Sequence, residues 1–120
     1  RLLGLAFQAQ DDLLGIWGDS ALTGKSNQSD LLARKKTLPI LYGLSKSKNF
    51  SNRWYHGNIS PSELREITDF LEIDGVKDYT LVKTQTLISQ ALIELDNAHP
   101  TGVPGQMLRN LALNLVHRQV

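Results

Sequence analysis

Cysteine is absent from the 120 residues, which excludes a disulfide scaffold, a thiolate metal site and a cysteine nucleophile. A surplus of either charge is absent too. Thirteen Lys and Arg face twelve Asp and Glu, a formal net charge of +1, so nothing in the bulk electrostatics calls for nucleic acid or an anionic membrane. No apolar run approaches the ~18 residues of a membrane span, and no basic-then-apolar leader opens the chain. A cysteine-free chain without a span fits the cytoplasm, which is the expected location. Val, Ile and Thr never gather into alternating runs, which argues against strands. A start residue is missing as well: the chain opens at Arg1 inside what reads as helix, with no cap before it. A fragment of a longer protein is therefore expected.

What is present recurs at helical spacing. The expected fold is all-α, a bundle of five helices. The first runs from Leu2 to about Trp17 and stops at Gly18-Asp19. Ser20 to Ser29 is polar, small and without periodicity, and is expected to be a loop. A second helix is expected from Asp30 to about Lys46. Pro39 lies inside it, so either a kink or a true start near Thr37 is implied. Ser47 to Ile59 reads as connection with one short turn around Trp54, an aromatic that with Tyr55 anchors it to the core. Ser60-Pro61-Ser62-Glu63 reads as a helix start, with Ser60 and Glu63 closing a capping box and Pro61 in the first turn. The helix that follows presents Leu64, Ile67, Phe70 and Leu71 on one face and stops before Gly75. A long helix from about Val76 to Asn97 carries the stripe Tyr79, Val82, Leu87, Ile88, Ala91, Leu92 and Leu95, with Thr80, Thr84 and Thr86 read as packing or solvent residues. After the break at His99 to Gly102, a last helix from Pro104 presents Met107, Leu108, Leu111, Leu115 and Val116. His56, His99 and His117 have no metal-ligand spacing and read as surface residues.

Two features bear on chemistry. Asp11 and Asp12 are adjacent carboxylates inside an apolar helical run, where loss of water is costly if they are buried. Phe7, Gln8, Asp11, Asp12 and Gly15 fall on neighbouring rows of one face, and Gly4 and Gly15 leave space beside the carboxylates. A polar, roomy patch of this kind suits a hard cation such as Mg²⁺, which takes one or two carboxylates, waters and phosphate oxygens. Taken alone, the pair equally fits the solvated face of an amphipathic helix. The second feature is basic. Gly24-Lys25 lies in the expected loop, and Lys35-Lys36 stands near the next helix start, where lysine opposes the macrodipole. Lysine is a point-charge phosphate binder. Acidic residues on one helix and lysines from loop and next helix would meet around one anionic ligand, a phosphate or diphosphate.

The run Phe7-Gln8-Ala9-Gln10-Asp11-Asp12-Leu13-Leu14-Gly15-Ile16-Trp17-Gly18-Asp19, followed by Thr23-Gly24-Lys25, Ser29-Asp30-Leu31 and Lys35-Lys36-Thr37-Leu38-Pro39, resembles the trans-isoprenyl diphosphate synthases, or polyprenyl synthetases, around their second aspartate-rich motif. The resemblance implies the C-terminal part of a class I terpenoid (isoprenoid) synthase fold over residues 1–120, without the N-terminal part that carries the first aspartate-rich motif. It implies Mg²⁺-dependent prenyl transfer from an allylic isoprenyl diphosphate to isopentenyl diphosphate, with a homodimer for the full-length enzyme. Asp11 and Asp12 are the implied metal residues, with Asp19 near the same mouth. Gln8 would lie by the reacting group, Phe7 would line the cavity, and Lys25 and Lys35 would hold the allylic diphosphate. The motif departs from its five-residue form, which would put a third aspartate where Gly15 stands. With only one aspartate cluster, the chain alone is expected not to catalyse the transfer, and its apolar first helix is expected to promote self-association. The alternative is a non-catalytic truncated or divergent helical subunit that binds a partner chain.

Overall fold

The computed structural model describes residues 1–23 and 29–98, together with 106, 107, 110, 113 and 114. Among these residues the chain is helical, with no strand. Helix α1 (Leu2–Trp17) has the expected bounds. It buries Ala6, Ala9, Leu13, Ile16 and Trp17 on one side. It ends at Gly18, whose extended backbone donates its N–H to the Leu14 carbonyl at 2.9 Å. The expected loop after it begins with one helical turn, α2 (Asp19–Leu22), anchored by buried Ala21. Residues 24–28, and with them Lys25, lie outside the described residues.

The segment from Asp30 to Lys46 is two helices, α3 (Asp30–Ala33) and α4 (Leu38–Lys46), so the start near Thr37 is the correct alternative. Ser29 caps α3 by accepting the Leu32 N–H. Arg34 ends it in the left-handed region at φ 55°, which turns the chain out of the helix. Pro39 then sits in the first turn of α4, where its missing N–H costs nothing. The expected connection from Ser47 to Ile59 contains a further helix, α5 (Lys48–Trp54). Ser47 caps it through the Phe50 N–H and donates its own hydroxyl to Asp74 at 2.5 Å. Trp54 is buried as expected, whereas Tyr55 is exposed.

The capping box at Ser60 and Glu63 forms as read, opening a 3₁₀ turn (Pro61–Glu63) that runs into α6 (Leu64–Ile73). Leu64, Ile67 and Leu71 face the core. Gly75, at φ 81°, makes the turn into α7 (Val76–Ala98), which packs along α1. The inward face of α7 differs from the expected stripe. Val82 is 62% exposed, while Val76, Thr80, Thr84 and Ala91 are buried. The two threonines tolerate burial because each hydroxyl donates to the carbonyl one turn back, Thr80 to Val76 at 2.8 Å and Thr84 to Thr80 at 2.7 Å. Tyr79 lies at the edge and stacks on Tyr42 of α4 at 3.7 Å between ring centroids. Of the expected last helix, residues 106, 107, 110, 113 and 114 are helical, and Leu108, Leu111, Leu115 and Val116 lie outside the described residues. No helix among the described residues is long and apolar enough to cross a membrane.

Leu13, Ile16, Trp17, Leu31, Ile40, Phe50, Trp54, Ile67, Leu71 and Val76 form the main core, drawn from α1 and α3 to α7. Trp17 also donates its indole N–H to Glu72 at 3.1 Å, tying α1 to α6. At the other end, Arg53 pairs bidentately with Glu63, Nε at 2.6 Å and Nη2 at 2.7 Å. The Arg53 hydrogen bond, helped by the Ser60 N–H, holds the Glu63 carboxyl down at about 2, from an ordinary value of 4.5. A depressed carboxyl contributes its stability above the unfolded value and loses it as pH falls through the folded one. Thermal midpoints should therefore fall between pH 4.5 and pH 2 through this pair, and Arg53→Gln should flatten that part of the profile. An unchanged slope in the variant would show that other carboxyls carry the acid transition.

Candidate diphosphate and metal site

The site grows from the side of α1 that faces away from the core. Gly4, Gln8 and Asp11 are exposed and lie on one stripe with Gly15, at helical steps of three and four. Asp12 is turned one position around the helix and is 8% exposed. Both its oxygens are engaged: Oδ1 accepts from Gln8 Nε2 at 2.8 Å, and Oδ2 accepts the backbone N–H of Leu38 at 3.2 Å. Leu38 opens α4, and its N-cap Thr37 makes no side-chain cap bond. Asp12 thus caps α4 from a different helix. It satisfies an otherwise orphaned N–H and sets a negative charge at the positive end of the helix.

Asp30 reaches the same place from α3. Its carboxylate sits over the α-carbon of Gly15, where a Cβ would overlap it. Position 15, which a third aspartate would occupy in the five-residue form of the motif, is thereby filled from another helix. Burial pushes the Asp30 carboxyl up; Lys35 pulls it down, and the charges of Asp12 and then Asp11 push it up again. Asp12 and Asp11 are thus near enough for their charges to act on Asp30. Lys35 Nζ stands 3.8 Å from Asp30 Oδ1 with its side chain largely exposed, and Lys36 is exposed beside it. Asp11 and Lys35 are therefore on the same side of the molecule, joined through Asp30. Asp19 is exposed in the first turn of α2. The sequence reading singled out Asp30 without a role. The signal that could have assigned one was Gly15 itself, a gap one turn beyond Asp11.

Phe7 is half-buried on the flank toward α7, packed with Leu2, Leu3, Leu87 and Ile88 around Ala6 and Ala91. With Leu3, Gly4, Ala91 and Leu95 it lines a mainly apolar groove of about 530 Å³.

The residues at the carboxylate mouth fit Mg²⁺. Among the described residues no three acidic or histidine side chains close around one point. Mg²⁺ itself needs no full protein cage, since it keeps several waters and takes phosphate oxygens. Asp11 is exposed at this mouth, and the carboxylates of Asp12 and Asp30 add negative charge beside it.

The polyprenyl synthetase family model matches residues 1–72, more than half of the chain. A (2E,6E)-farnesyl diphosphate synthase of Mycobacterium tuberculosis is 32% identical over 99% of this chain and 35% of its own length. A geranylfarnesyl diphosphate synthase of Aeropyrum pernix is 29% identical over 98% of this chain and 37% of its own length. A geranylgeranyl diphosphate synthase of Mycobacterium tuberculosis reaches 58% identity over a shorter stretch, 36% of this chain and 12% of its own. No solved structure gives a significant match. The chain spans little more than a third of the length of the two relatives that align along all of it. The family match covers the whole site-bearing segment from α1 through α4, and the chain belongs to the polyprenyl synthetase family.

Proposed function

We propose that this chain supplies the second aspartate-rich half of a site for Mg²⁺-dependent prenyl transfer, in which an allylic isoprenyl diphosphate condenses with isopentenyl diphosphate. The observation that carries this reading is the meeting of Asp11 and Lys35 at one mouth, through Asp30, in a chain of this family. Diphosphate leaves as an anion, and Mg²⁺ held at Asp11, with Asp12 and Asp19 in support, would neutralise part of that charge. Lys35, with Lys25 from the preceding segment, would bind the same diphosphate oxygens as point charges. When the C1–O bond breaks, its electron pair leaves with the diphosphate. The allylic cation left behind is attacked by the double bond of isopentenyl diphosphate, and loss of a proton completes the product. Phe7 and the apolar groove beside it would shield the cation from water. Gln8, already fixed on Asp12, would orient the polar edge of that wall.

The test is calorimetric titration of the chain with inorganic diphosphate in the presence and absence of Mg²⁺. Binding should need the metal. Asp11→Asn and Lys35→Ala should each weaken it about tenfold, the loss of one charge-assisted contact, with little change in thermal midpoint because both side chains are exposed. Magnesium-independent binding, or no binding at all, would count against the reading and in favour of a non-catalytic subunit.

A further inference from the structure

Arg34 is the one non-glycine residue with positive φ among those described, at 55°. Left-handed backbone is unfavourable for a side chain with a Cβ and persists where surrounding contacts determine it. Here the contacts are specific. Nη1 donates to the Gly57 carbonyl at 2.8 Å and Nη2 to the Trp54 carbonyl at 2.9 Å. The guanidinium carbon lies 4.1 Å from the centroid of the Trp54 ring. The cation therefore grips the C-terminal end of α5, where exposed carbonyls favour it, and stacks on a core aromatic. The turn it grips is braced from the other side, since Arg53 also donates to the Gly57 carbonyl at 3.2 Å and to the Asn58 carbonyl at 2.8 Å. Glu63 locks Arg53 in turn.

The neighbours of Arg34 belong to the site. Lys35 turns the other way, to Asp30 over Gly15, and the Leu38 N–H is held by Asp12. Residues 35–37 between these two contacts are not helical: the Lys35 N–H donates to the Asp30 carbonyl at 3.0 Å and the Thr37 carbonyl accepts from Leu41 at 2.9 Å, which leaves Lys36 between them without a helical bond. Their placement depends on what anchors each end. Asp12 holds one end, and the bridge from Arg34 to α5 holds the other. From this geometry we infer that Arg34 is a positioning residue: by fastening the 34–37 segment to α5, it presents Lys35 to the diphosphate. The inference rests on the diphosphate reading of the site, with Lys35 as the group it acts through.

Variants at positions 34 and 35 separate this role from a plain contribution to folding. Arg34→Gly removes the guanidinium while making the left-handed turn easier, so it should fold readily. Lys35→Ala removes the group that Arg34 is proposed to present. With Mg²⁺ and inorganic diphosphate, Arg34→Gly should bind about tenfold more weakly, and the double variant should be no weaker than Lys35→Ala alone. Arg34→Lys should not restore affinity, because one ammonium cannot bridge two carbonyls in the fixed fork of a guanidinium. Wild-type affinity in Arg34→Gly, or losses that multiply in the double variant, would overturn the inference. Amide exchange at Leu38 gives a second measure that needs no ligand. It should speed up about tenfold or more in Arg34→Gly if the segment is loosened. Should the wild-type chain bind no diphosphate, the functional reading fails by itself. Unchanged Leu38 exchange would then show that Arg34 fastens nothing, and accelerated exchange would confine its role to the backbone.

Discussion

Phe50→Ala is expected to lower the unfolding free energy by about 3–5 kcal/mol, the range for truncating a fully buried aromatic. Phe50 has no exposed surface and sits where α4, α5 and α6 meet. Its ring packs against Trp54 at 5.7 Å between centroids. It also lies against Gly43 of α4, where a Cβ would stand 3.1 Å from the ring and 2.7 Å from a methyl of Leu71. The helices approach this closely because position 43 carries no side chain, so they have little room to collapse into the space that Phe50 would leave. A domain of this size has about 5–15 kcal/mol in total, so the variant should be close to unfolded at room temperature. Urea denaturation followed by tryptophan fluorescence measures it, since Trp54 is in direct contact. A loss below about 1.5 kcal/mol would mean that the three-helix junction repacks, contrary to the closeness imposed by Gly43.

Gly15→Asp, which restores a carboxylate at the third position of the motif, is expected to damage the chain. The space is already taken by Asp30. A new side chain there must push that carboxylate off the glycine, away from Lys35, and add a further negative charge near Asp11 and Asp12. Overpacking and like-charge crowding together should destabilise by about 2–3 kcal/mol. Asp30→Ala placed on top should recover a large part of that loss, giving a coupling of at least about 1 kcal/mol in a double-mutant cycle. Strictly additive effects would show that positions 15 and 30 do not share one space. The same cycle bears on the site, because Asp30→Ala alone releases Lys35 and should alter diphosphate affinity as well as stability.

Most of α1, α6 and α7 was legible because their signals are local. Gly18 and Gly75 stop helices, Ser60 and Glu63 start one, and apolar residues repeat at helical steps. The errors fall where a tertiary contact overrides a local sign. Helix α5 carries only Phe50 and Trp54 as apolar anchors, and its polar residues Asn49 and Asn52 read as turn. The break after α3 was hidden because Arg34 takes a backbone shape usually marked by glycine, held there by carbonyls some twenty residues away in sequence. Thr80 and Thr84 were hard to assign because a hydroxyl that returns to its own helix behaves as an apolar surface. In the site, the one-sidedness of Gln8 and Asp11 follows from helix periodicity alone. The position of Asp30 over Gly15 depends on how α3 docks on α1, which no spacing within either helix encodes.

If the proposed ion is held at this mouth, the bond from Asp12 to Leu38 would link its binding to the order of α4. Any occupant that draws the Asp12 carboxylate toward itself must loosen its hold on the first amide of α4, and any solvent condition that frays α4 must change the charge offered to the occupant. The two free energies share one side chain, so they are not separable by changing it. A substitution at position 12 would therefore act on the start of α4 and on the proposed ion together, and only a paired reading of helix protection and ion affinity would tell the two apart.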